Sequence, residues 1–329
     1  MVKKMLMLTT GGTIASVPSA EGLRPLGSEE LLSHLDGKSD FELDVREIFT
    51  LDSSNIQPEE WQTLAREIFA AFDRYDGVVV THGTDTMAYT ASMLTFMLQN
   101  PPVPVVLTGS QLPIAHPLTD AKSNLRTAFA MACSGTPGVF VAFDRKVLLG
   151  CRAVKVRTSG FDAFESINMD LAGWVDTYGL HVDPRVVPVF TGAPALEDGL
   201  DANVFLMKLT PGANPAVLDQ ILESGCRGLV IEAFGAGGMQ FIRRDFVARL
   251  QRAAELGVPV AVCSQCLYER SDFSIYEVGQ KALGAGVIQG LDMTSEAVVT
   301  KLMWALPRGG LSAVRKIFAT NYANEVTIL

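Results

Sequence analysis

The sequence predicts an α/β fold in two domains, and the larger, N-terminal domain is expected to hold a doubly wound, mostly parallel sheet. Short apolar runs recur along the chain, and stretches with apolar residues at helical spacing separate them. The runs are continuous rather than alternating, as expected for strands that helices cover on both faces. Strands that alternate with helices indicate right-handed crossovers.

The N-terminal half contains the clearest elements. Its buried strands are predicted at 6–9, 77–81, 103–108 and 138–143. Its helices are predicted at 58–73, 84–98 and 119–132. Pro58 suits the first turn of a helix, and the acidic residues Glu59 and Glu60 stabilise a helix N-terminus.

A change in composition marks the predicted domain boundary. Prolines and acidic residues accumulate over 186–202, which we interpret as a linker between a domain at 1–185 and a smaller α/β domain at 203–329. Beyond the linker the alternation resumes. Strands are predicted at 204–209, 229–233 and 258–263, and helices at 214–223, 243–256 and 294–306.

The composition narrows the range of partners. The chain has 329 residues, with 27 Lys and Arg against 36 Asp and Glu, and a formal net charge of −9. An acidic surface repels phosphate backbones, so a nucleic-acid partner is not expected. Pro, Gly or charged residues interrupt every apolar run before the roughly 18 residues that span a bilayer, so a membrane is not expected either.

The cysteines and the N-terminus indicate the compartment. Five scattered cysteines, an odd number, do not suggest a disulfide framework. The first apolar run is too short for the hydrophobic region of a signal peptide. We therefore predict a cytoplasmic location. Cys263 and Cys266 form a C-x-x-C pair without a second pair, so we interpret them as structural. We expect no metal and no cofactor.

Three predicted strands end in turns rich in hydroxyls and glycine. These turns are 9–13, 81–86 and 108–111. The carboxyl ends of parallel strands lie at one edge of a sheet, so neighbouring strands would bring the turns to one crevice. Each turn alone is explained by helix capping and tight bends. Together they favour a site that binds an oxyanion or activates a hydroxyl. No dinucleotide or P-loop spacing is present, which makes nucleotide binding the weaker interpretation.

A hydroxyl nucleophile needs a base, because an alcohol does not ionise usefully at neutral pH. A Ser-His-Asp arrangement has little support, since the chain has four histidines and no G-x-S-x-G elbow. His82 lies in the second turn, but we interpret it as a packing or hydrogen-bonding residue. A threonine paired with a lysine fits better. The residues by themselves do not choose among the lysines.

Two segments carry a resemblance to a known family. TGGTIAS at 10–16 and HGTDTMA at 82–88 are similar to the two signatures of the bacterial-type L-asparaginase family. Further segments follow the family in the same order: DSS at 52–54, LTGSQ at 107–111, GFDAF at 160–164 and GLDMT at 290–294. The similarity covers nearly the whole chain and is closest to the cytoplasmic, type I branch.

The resemblance implies roles for particular residues. Thr13 stands at the position of the family's primary nucleophile, which attacks the side-chain amide carbon and forms an acyl-enzyme. Thr84 matches the second threonine, and Lys155 matches the lysine with which that threonine moves protons. Asp85 matches the carboxylate that holds the substrate's α-amino group, as well as belonging to the catalytic set.

Substrate binding is assigned by resemblance in the same way. Ser53, flanked by Asp52 and Ser54, matches the residue that binds the substrate's α-carboxylate, with Thr84 and Asp85 completing the binding set. An amino acid amide carries one ammonium and one carboxylate, which suits a carboxylate beside hydroxyls and N–H groups. Without the resemblance, each of these residues could equally be a helix cap, a turn residue or a solvated side chain.

The match departs from the family at one position. A tyrosine usually follows the first signature, whereas this chain has Leu23, which has no hydroxyl. We consider Tyr276 as the residue that replaces it.

The resemblance implies an amidohydrolase that converts L-asparagine and water to L-aspartate and ammonia, with weak activity on L-glutamine. Two alternatives remain open at this point. One is a subunit of an amidotransferase that acts on transfer-RNA-bound glutamate, and the other is a sensor that binds an amino acid without turnover. The family also implies a homodimer or homotetramer.

Overall fold

The computed structural model describes residues 2–12, 14, 16–19, 22–25, 41–274 and 277–328, with the backbone alone at 16–19 and 22–25. The chain divides into two compact units, Met1–Asp198 and Gly199–Leu329. Each unit is built of strands and helices around a sheet with parallel strands, so the predicted two-domain α/β class is confirmed. The predicted linker 186–202 spans this division, and its role as a linker stays a prediction.

Unit 1 contains an eight-stranded sheet in the order β13-β12-β9-β8-β7-β5-β1-β4, with short two-stranded sheets beside it. Its described strands are β1 (Lys3–Gly11), β2 (Ser16–Ser19), β3 (Gly22–Pro25), β4 (Phe41–Leu51), β5 (Gly77–Thr81), β6 (Leu98–Gln99), β7 (Pro104–Thr108), β8 (Gly138–Phe143), β9 (Lys146–Leu149), β10 (Ala153–Lys155), β11 (Phe164–Ser166), β12 (Gly173–Asp176), β13 (Gly179–Val182) and β14 (Ala195–Leu196). From β8 to β4 the neighbouring strands run parallel, whereas β9, β12 and β13 add antiparallel pairs.

The helices described in unit 1 are α1 (Pro58–Phe69), α2 (Met87–Met97) and α3 (Ala121–Ala132). A proline in the first turn and a capping box between Gln57 and Glu60 start α1. The predicted helix at 84–98 begins only at Met87, because residues 84–86 form a bend. That bend follows β5 directly and carries candidate site residues.

The interior strands of unit 1 explain why the prediction from apolar runs succeeds there. All residues of β5, β7 and β8 are buried, and α3 packs Leu125 and Phe129 into the same core cluster. The sequence analysis missed β4, because this strand lies at the sheet edge and alternates half-buried with exposed residues. Its parallel pairing with β1 nevertheless places the segment after Leu51 beside the other strand ends.

Unit 2 contains a four-stranded parallel sheet in the order β15-β16-β17-β18. Its strands are β15 (Val204–Lys208), β16 (Gly228–Ala233), β17 (Val260–Ser264) and β18 (Ile288–Gln289). The helices described here are α4 (Ala216–Glu223), α5 (Phe246–Glu255), α6 (Glu277–Gly284), α7 (Ser295–Ala305) and α8 (Leu311–Phe318). The sequence analysis did not predict α6 and α8. Within the described ranges, no helix is long and apolar enough to cross a bilayer.

Candidate active site

Four neighbouring parallel strands of unit 1 end at one edge of the sheet. β7 pairs with β5, β5 with β1, and β1 with β4, all in parallel register. The segments that follow β4, β5 and β7 therefore emerge side by side. They carry Ser53, Thr84 and Gln111, respectively. The described part of the first predicted turn, 9–12, lies at the same edge as the predicted turns 81–86 and 108–111, so these three turns meet in one crevice, as expected. The segment after β4, which carries Ser53, was not among them.

Glycines allow these turns to approach one another closely. A Cβ atom on Gly83 would lie 2.7 Å from the Ser53 hydroxyl oxygen, and one on Gly109 would lie 2.5 Å from the His82 carbonyl oxygen. Gly12 has φ +76°, and a Cβ there would lie 3.0 Å from the Gly83 nitrogen. Gly12 and Gly109 thus let the three turns pack backbone against backbone, and Gly83 leaves room for the Ser53 side chain. Larger residues at these positions would prevent both.

A lysine, a threonine and an aspartate meet in this crevice. The Lys155 ammonium donates to the Thr84 hydroxyl oxygen at 2.8 Å and to the Asp85 Oδ1 atom at 2.6 Å. The Lys155 side chain is 16% exposed, whereas the Asp85 side chain is 64% exposed. The lysine is thus held below a carboxylate that solvent, or a substrate, can reach.

The hairpin of β10 and β11 brings the lysine to this point. Lys155 is the last residue of β10, and it pairs with Phe164 of β11 in antiparallel register. The ring of Phe164 is buried and contacts that of Phe143, the last residue of β8, with centroids 5.0 Å apart. Hydrophobic packing therefore ties the hairpin to the main sheet close to the strand end.

Ser53 is bound to the same turn as Asp85. The Asp85 backbone N–H donates to the Ser53 hydroxyl at 3.2 Å, and the Thr86 hydroxyl donates to the Ser53 carbonyl at 2.7 Å. Ser53 is buried, with 4% of its surface exposed. Two hydrogen bonds thus fix its position beside the carboxylate.

Asp52 and Ser54, on either side of Ser53, bond to each other. The Asp52 carboxylate accepts the Ser54 N–H at 2.9 Å and also the Ser54 hydroxyl. The Ser54 hydroxyl, followed by its N–H, lowers the pKa of Asp52 from its usual value. This local capping stabilises the short 3₁₀ turn Ser53–Asn55 that presents Ser53.

His82 is buried beneath the turn. Its ring nitrogens contact the Gly83 carbonyl oxygen at 2.6 Å and the Thr90 hydroxyl at 2.9 Å. Burial lowers the pKa of His82 to about 4. A neutral ring that donates to the carbonyl and accepts from the hydroxyl satisfies both contacts. His82 therefore supports the turn rather than acting as a base.

Several predicted residues lie outside what the structure describes. Thr13 and Tyr276 are outside the described residues, and the side chain of Leu23 is not described. The structure therefore brings together Lys155 and the residues of two turns, which are Ser53, Thr84 and Asp85.

Sequence reasoning missed two residues of this crevice. The Gln111 Oε1 atom lies 3.5 Å from the Thr84 hydroxyl oxygen, and both carboxylate oxygens of Asp120 accept the Gln111 N–H, at 3.1 and 3.0 Å. Gln111 lies in the predicted turn 108–111 and in the family segment LTGSQ, but neither signal gave it a role, and no sequence signal marks Asp120. Among the described residues there is no group of three His, Cys, Asp or Glu that could hold a metal ion.

The fold and the cluster together define an α/β protein with hydroxyl, ammonium and carboxylate groups at the carboxyl ends of parallel strands. Two family models match the chain, "Asparaginase, N-terminal" over residues 4–187 and "Glutaminase/Asparaginase C-terminal domain" over residues 203–318. The chain belongs to the asparaginase family. The predicted resemblance is thereby confirmed.

Three curated relatives show how the similarity is distributed. An L-asparaginase of Thermococcus kodakarensis is 45% identical, over 98% of this chain and 99% of that protein. L-asparaginase 1 of Escherichia coli is 33% identical, over 99% and 98%. A glutamyl-tRNA(Gln) amidotransferase subunit of Pyrococcus abyssi is 36% identical, over 98% of this chain and 77% of that protein.

A solved structure gives the same result as the sequence comparison. The thermostable L-asparaginase from Thermococcus kodakarensis superimposes with a TM-score of 0.94 at 44% identity, covering 99% of this chain and all of that one. The whole fold, both units included, is therefore shared with that enzyme.

Proposed function

We propose that this chain hydrolyses the side-chain amide of L-asparagine to L-aspartate and ammonia. One observation carries the proposal: in a chain of the asparaginase family, the Lys155 ammonium contacts both the Thr84 hydroxyl and the Asp85 carboxylate. L-Glutamine is expected as a poor secondary substrate, because one methylene provides only about 1–3 kcal/mol of discrimination.

The proposed reaction proceeds in two halves. The Thr13 hydroxyl attacks the amide carbon, its proton passes to the leaving nitrogen, and ammonia departs as the acyl-enzyme forms. Water then attacks the ester, the proton of the water returns to the Thr13 oxygen, and aspartate is released. Support for Thr13 comes from the family signature, and from Gly12, which precedes it and packs against Gly83.

Thr84 and Lys155 are proposed to move the proton in the second half. A lysine in its neutral form can accept the Thr84 proton, and the threonine oxygen can then take a proton from the attacking water. The 2.8 Å contact between the Lys155 nitrogen and the Thr84 oxygen is short enough for this transfer.

Asp85 and Ser53 are proposed to bind the amino acid portion of the substrate. One Asp85 oxygen contacts Lys155, and a carboxylate has further lone pairs that can accept the α-ammonium. Asp85 is largely exposed, which leaves it accessible to this cation. The Ser53 hydroxyl would donate to the α-carboxylate while accepting from the Asp85 N–H. Asp52 and Ser54 would stabilise the segment that presents it.

Action on transfer-RNA-bound glutamate is less well supported. The asparaginase relative is more similar than the amidotransferase subunit, at 45% against 36% identity, and it matches over nearly its full length. We further infer a cytoplasmic protein that forms a homodimer or homotetramer. Support comes from the family membership and, for the location, from L-asparaginase 1 among its relatives.

Ammonia release from L-asparagine by the purified protein tests the proposal. We expect release from L-asparagine, weaker release from L-glutamine, and loss of most activity in Thr13→Ala and Thr84→Ala. Asparagine binding by calorimetry without any release of ammonia would instead establish the sensor. Near-normal turnover by Thr13→Ala would remove that residue from the mechanism.

A further inference from the structure

Gln111 joins two segments of the candidate site. Its side-chain nitrogen donates to the carbonyl oxygens of Thr158 and Gly160, at 3.3 and 3.0 Å. Both carbonyls belong to the loop between β10, which ends in Lys155, and β11. Its side-chain oxygen lies 3.5 Å from the Thr84 hydroxyl oxygen. One amide therefore connects the lysine's hairpin with the threonine.

The two carbonyls determine which way the amide points. A carbonyl oxygen only accepts hydrogen bonds, so the nitrogen of Gln111 must face Thr158 and Gly160. The oxygen of Gln111 then has to face Thr84. The orientation follows from the hydrogen-bond network rather than from the appearance of the amide.

The Thr84 hydroxyl needs a hydrogen-bond acceptor other than Lys155. Lys155, when protonated, donates to the Thr84 oxygen and cannot accept the Thr84 proton. The hydroxyl proton must then point elsewhere, and the Gln111 oxygen lies within reach. A separation of 3.5 Å is long for a hydrogen bond, but catalytic hydrogen bonds often shorten only when substrate is bound.

Asp120 holds the backbone of Gln111. Its carboxylate accepts the N–H groups of Gln111 and Leu112, and the side-chain nitrogen of Asn124 donates to it at 3.0 Å. Asn124 is fully buried, and it also donates to the Gly109 carbonyl at 2.9 Å. Gln111 is thus anchored from below, at the same strand end as Thr84.

We propose that Gln111 is a positioning residue for the proposed hydrolysis: its side-chain oxygen accepts a hydrogen bond from the Thr84 hydroxyl while Lys155 is charged, and its side-chain nitrogen holds the lysine's hairpin against the threonine. The inference rests on the proposed function and extends it. No bond is made or broken at Gln111. When Lys155 becomes neutral, the Thr84 hydroxyl turns from Gln111 to Lys155 and can transfer its proton there.

Two glutamines provide the first test. Gln111→Met keeps the length of the side chain but removes both the oxygen and the nitrogen. We expect kcat for asparagine to fall about 10–100-fold, because small displacements of reacting groups cost rates of that order, with KM within threefold of the wild-type value. Gln99→Met is the matched control, because the Gln99 nitrogen also donates to a main-chain carbonyl, that of Phe96. It should retain the wild-type kcat.

Gln111→Glu provides the second test, which a purely structural role would not pass. The substitution keeps an acceptor for Thr84, loses both donated hydrogen bonds and adds a negative charge near the Lys155 ammonium. The added charge favours protonated lysine, so the acidic limb of the kcat/KM profile should move to higher pH by about one unit. A lower rate with an unmoved limb would show that Gln111 only supports the fold.

The outcomes separate this inference from the function on which it rests. If the wild-type protein releases no ammonia from asparagine, the proposed function fails, and the inference fails with it. If the wild-type protein is active and Gln111→Met keeps kcat within threefold, only the role of Gln111 is overturned. If Gln111→Met does not fold, the pH profile of Gln111→Glu decides.

Discussion

The two units each contain a short lysine–carboxylate pair, and the pairs differ in everything but distance. The Lys155 nitrogen lies 2.6 Å from Asp85 in unit 1, and the Lys301 nitrogen lies 2.6 Å from Glu325 in unit 2. The side chain of Asp85 is 64% exposed, whereas both partners of the second pair are fully buried. Equal distances therefore belong to very different environments.

Both partners of the buried pair, Lys301 and Glu325, make further hydrogen bonds with the surrounding main chain. Lys301 also donates to the Thr320 carbonyl at 2.8 Å, and Glu325 accepts the N–H groups of Tyr322 and Ala323, at 2.9 and 2.8 Å. The rings of Phe318 and Tyr322 lie near the ammonium. The pair thus fastens the C-terminal segment to α7. An ion pair in contact with solvent can exchange partners with a substrate, while one enclosed by its own chain serves stability.

The largest predicted effect comes from breaking the partly exposed pair of Lys155 and Asp85. Lys155→Met should lower kcat about 10²–10⁴-fold, the usual contribution of a proton-transfer group. The melting temperature should barely change, because a pair with an exposed partner contributes about 0–1 kcal/mol. Ammonia release measures kcat, and thermal unfolding measures the melting temperature. Lys146→Met, which removes a surface pair with Asp144, is the control. Activity within tenfold of the wild type would contradict the comparison.

Breaking the buried pair of Lys301 and Glu325 should lower stability and leave activity unchanged. Lys301→Met leaves the Glu325 carboxylate buried without its cation, which should lower the free energy of unfolding by about 3–5 kcal/mol. Urea denaturation measures this change, and kcat per folded molecule should stay close to wild type. Adding Glu325→Leu should recover much of the loss, since an apolar pair avoids the uncompensated charge. If Lys301→Met alone were as stable as the wild type, the stabilising role of this pair would be refuted.

His82 sharpens the comparison, because it is buried like Lys301 but stays neutral. Its pKa is about 4 in the folded state and near 6.5 when unfolded, so the unfolded state binds more protons between these values. The free energy of unfolding should therefore fall as the pH drops from 6.5 to 4, by about 3 kcal/mol from this residue. Urea denaturation across this range should give a shallower pH dependence for His82→Gln. Equal slopes for both proteins would contradict it.

The smallest predicted effect concerns Ser53, which lies next to Asp85 in the candidate site. Ser53→Ala removes the hydroxyl that accepts the Asp85 N–H and that is proposed to bind the substrate's carboxylate. We expect KM for asparagine to rise about tenfold, as for loss of one hydrogen bond to a charged group, with kcat within threefold. Steady-state kinetics measure both. Ser134→Ala, which removes a surface hydroxyl, should leave KM unchanged.

The sequence predicted the interior of unit 1 better than its edge. β5 and β8 were predicted at their observed bounds, because strands covered on both faces read as unbroken apolar runs. β4 was missed, since an edge strand with half-exposed residues lacks such a run. Lys301 was missed for a related reason. A lysine within a predicted helix is ordinarily solvated, and only the folded chain shows its buried carboxylate partner.

In the candidate site, too, some features follow from local sequence and others from contacts between distant segments. Local sequence determined the strand-end turns and the residues at their tips, because strand length, glycine and hydroxyl groups act over a few neighbouring positions. Which lysine joins Thr84 and Asp85 was decided by the β10–β11 hairpin, which reaches the crevice from about 70 residues along the chain. The placement of Gln111 and Asp120 also depended on contacts between distant segments. Such contacts follow from strand order and packing, which nearby residues do not encode.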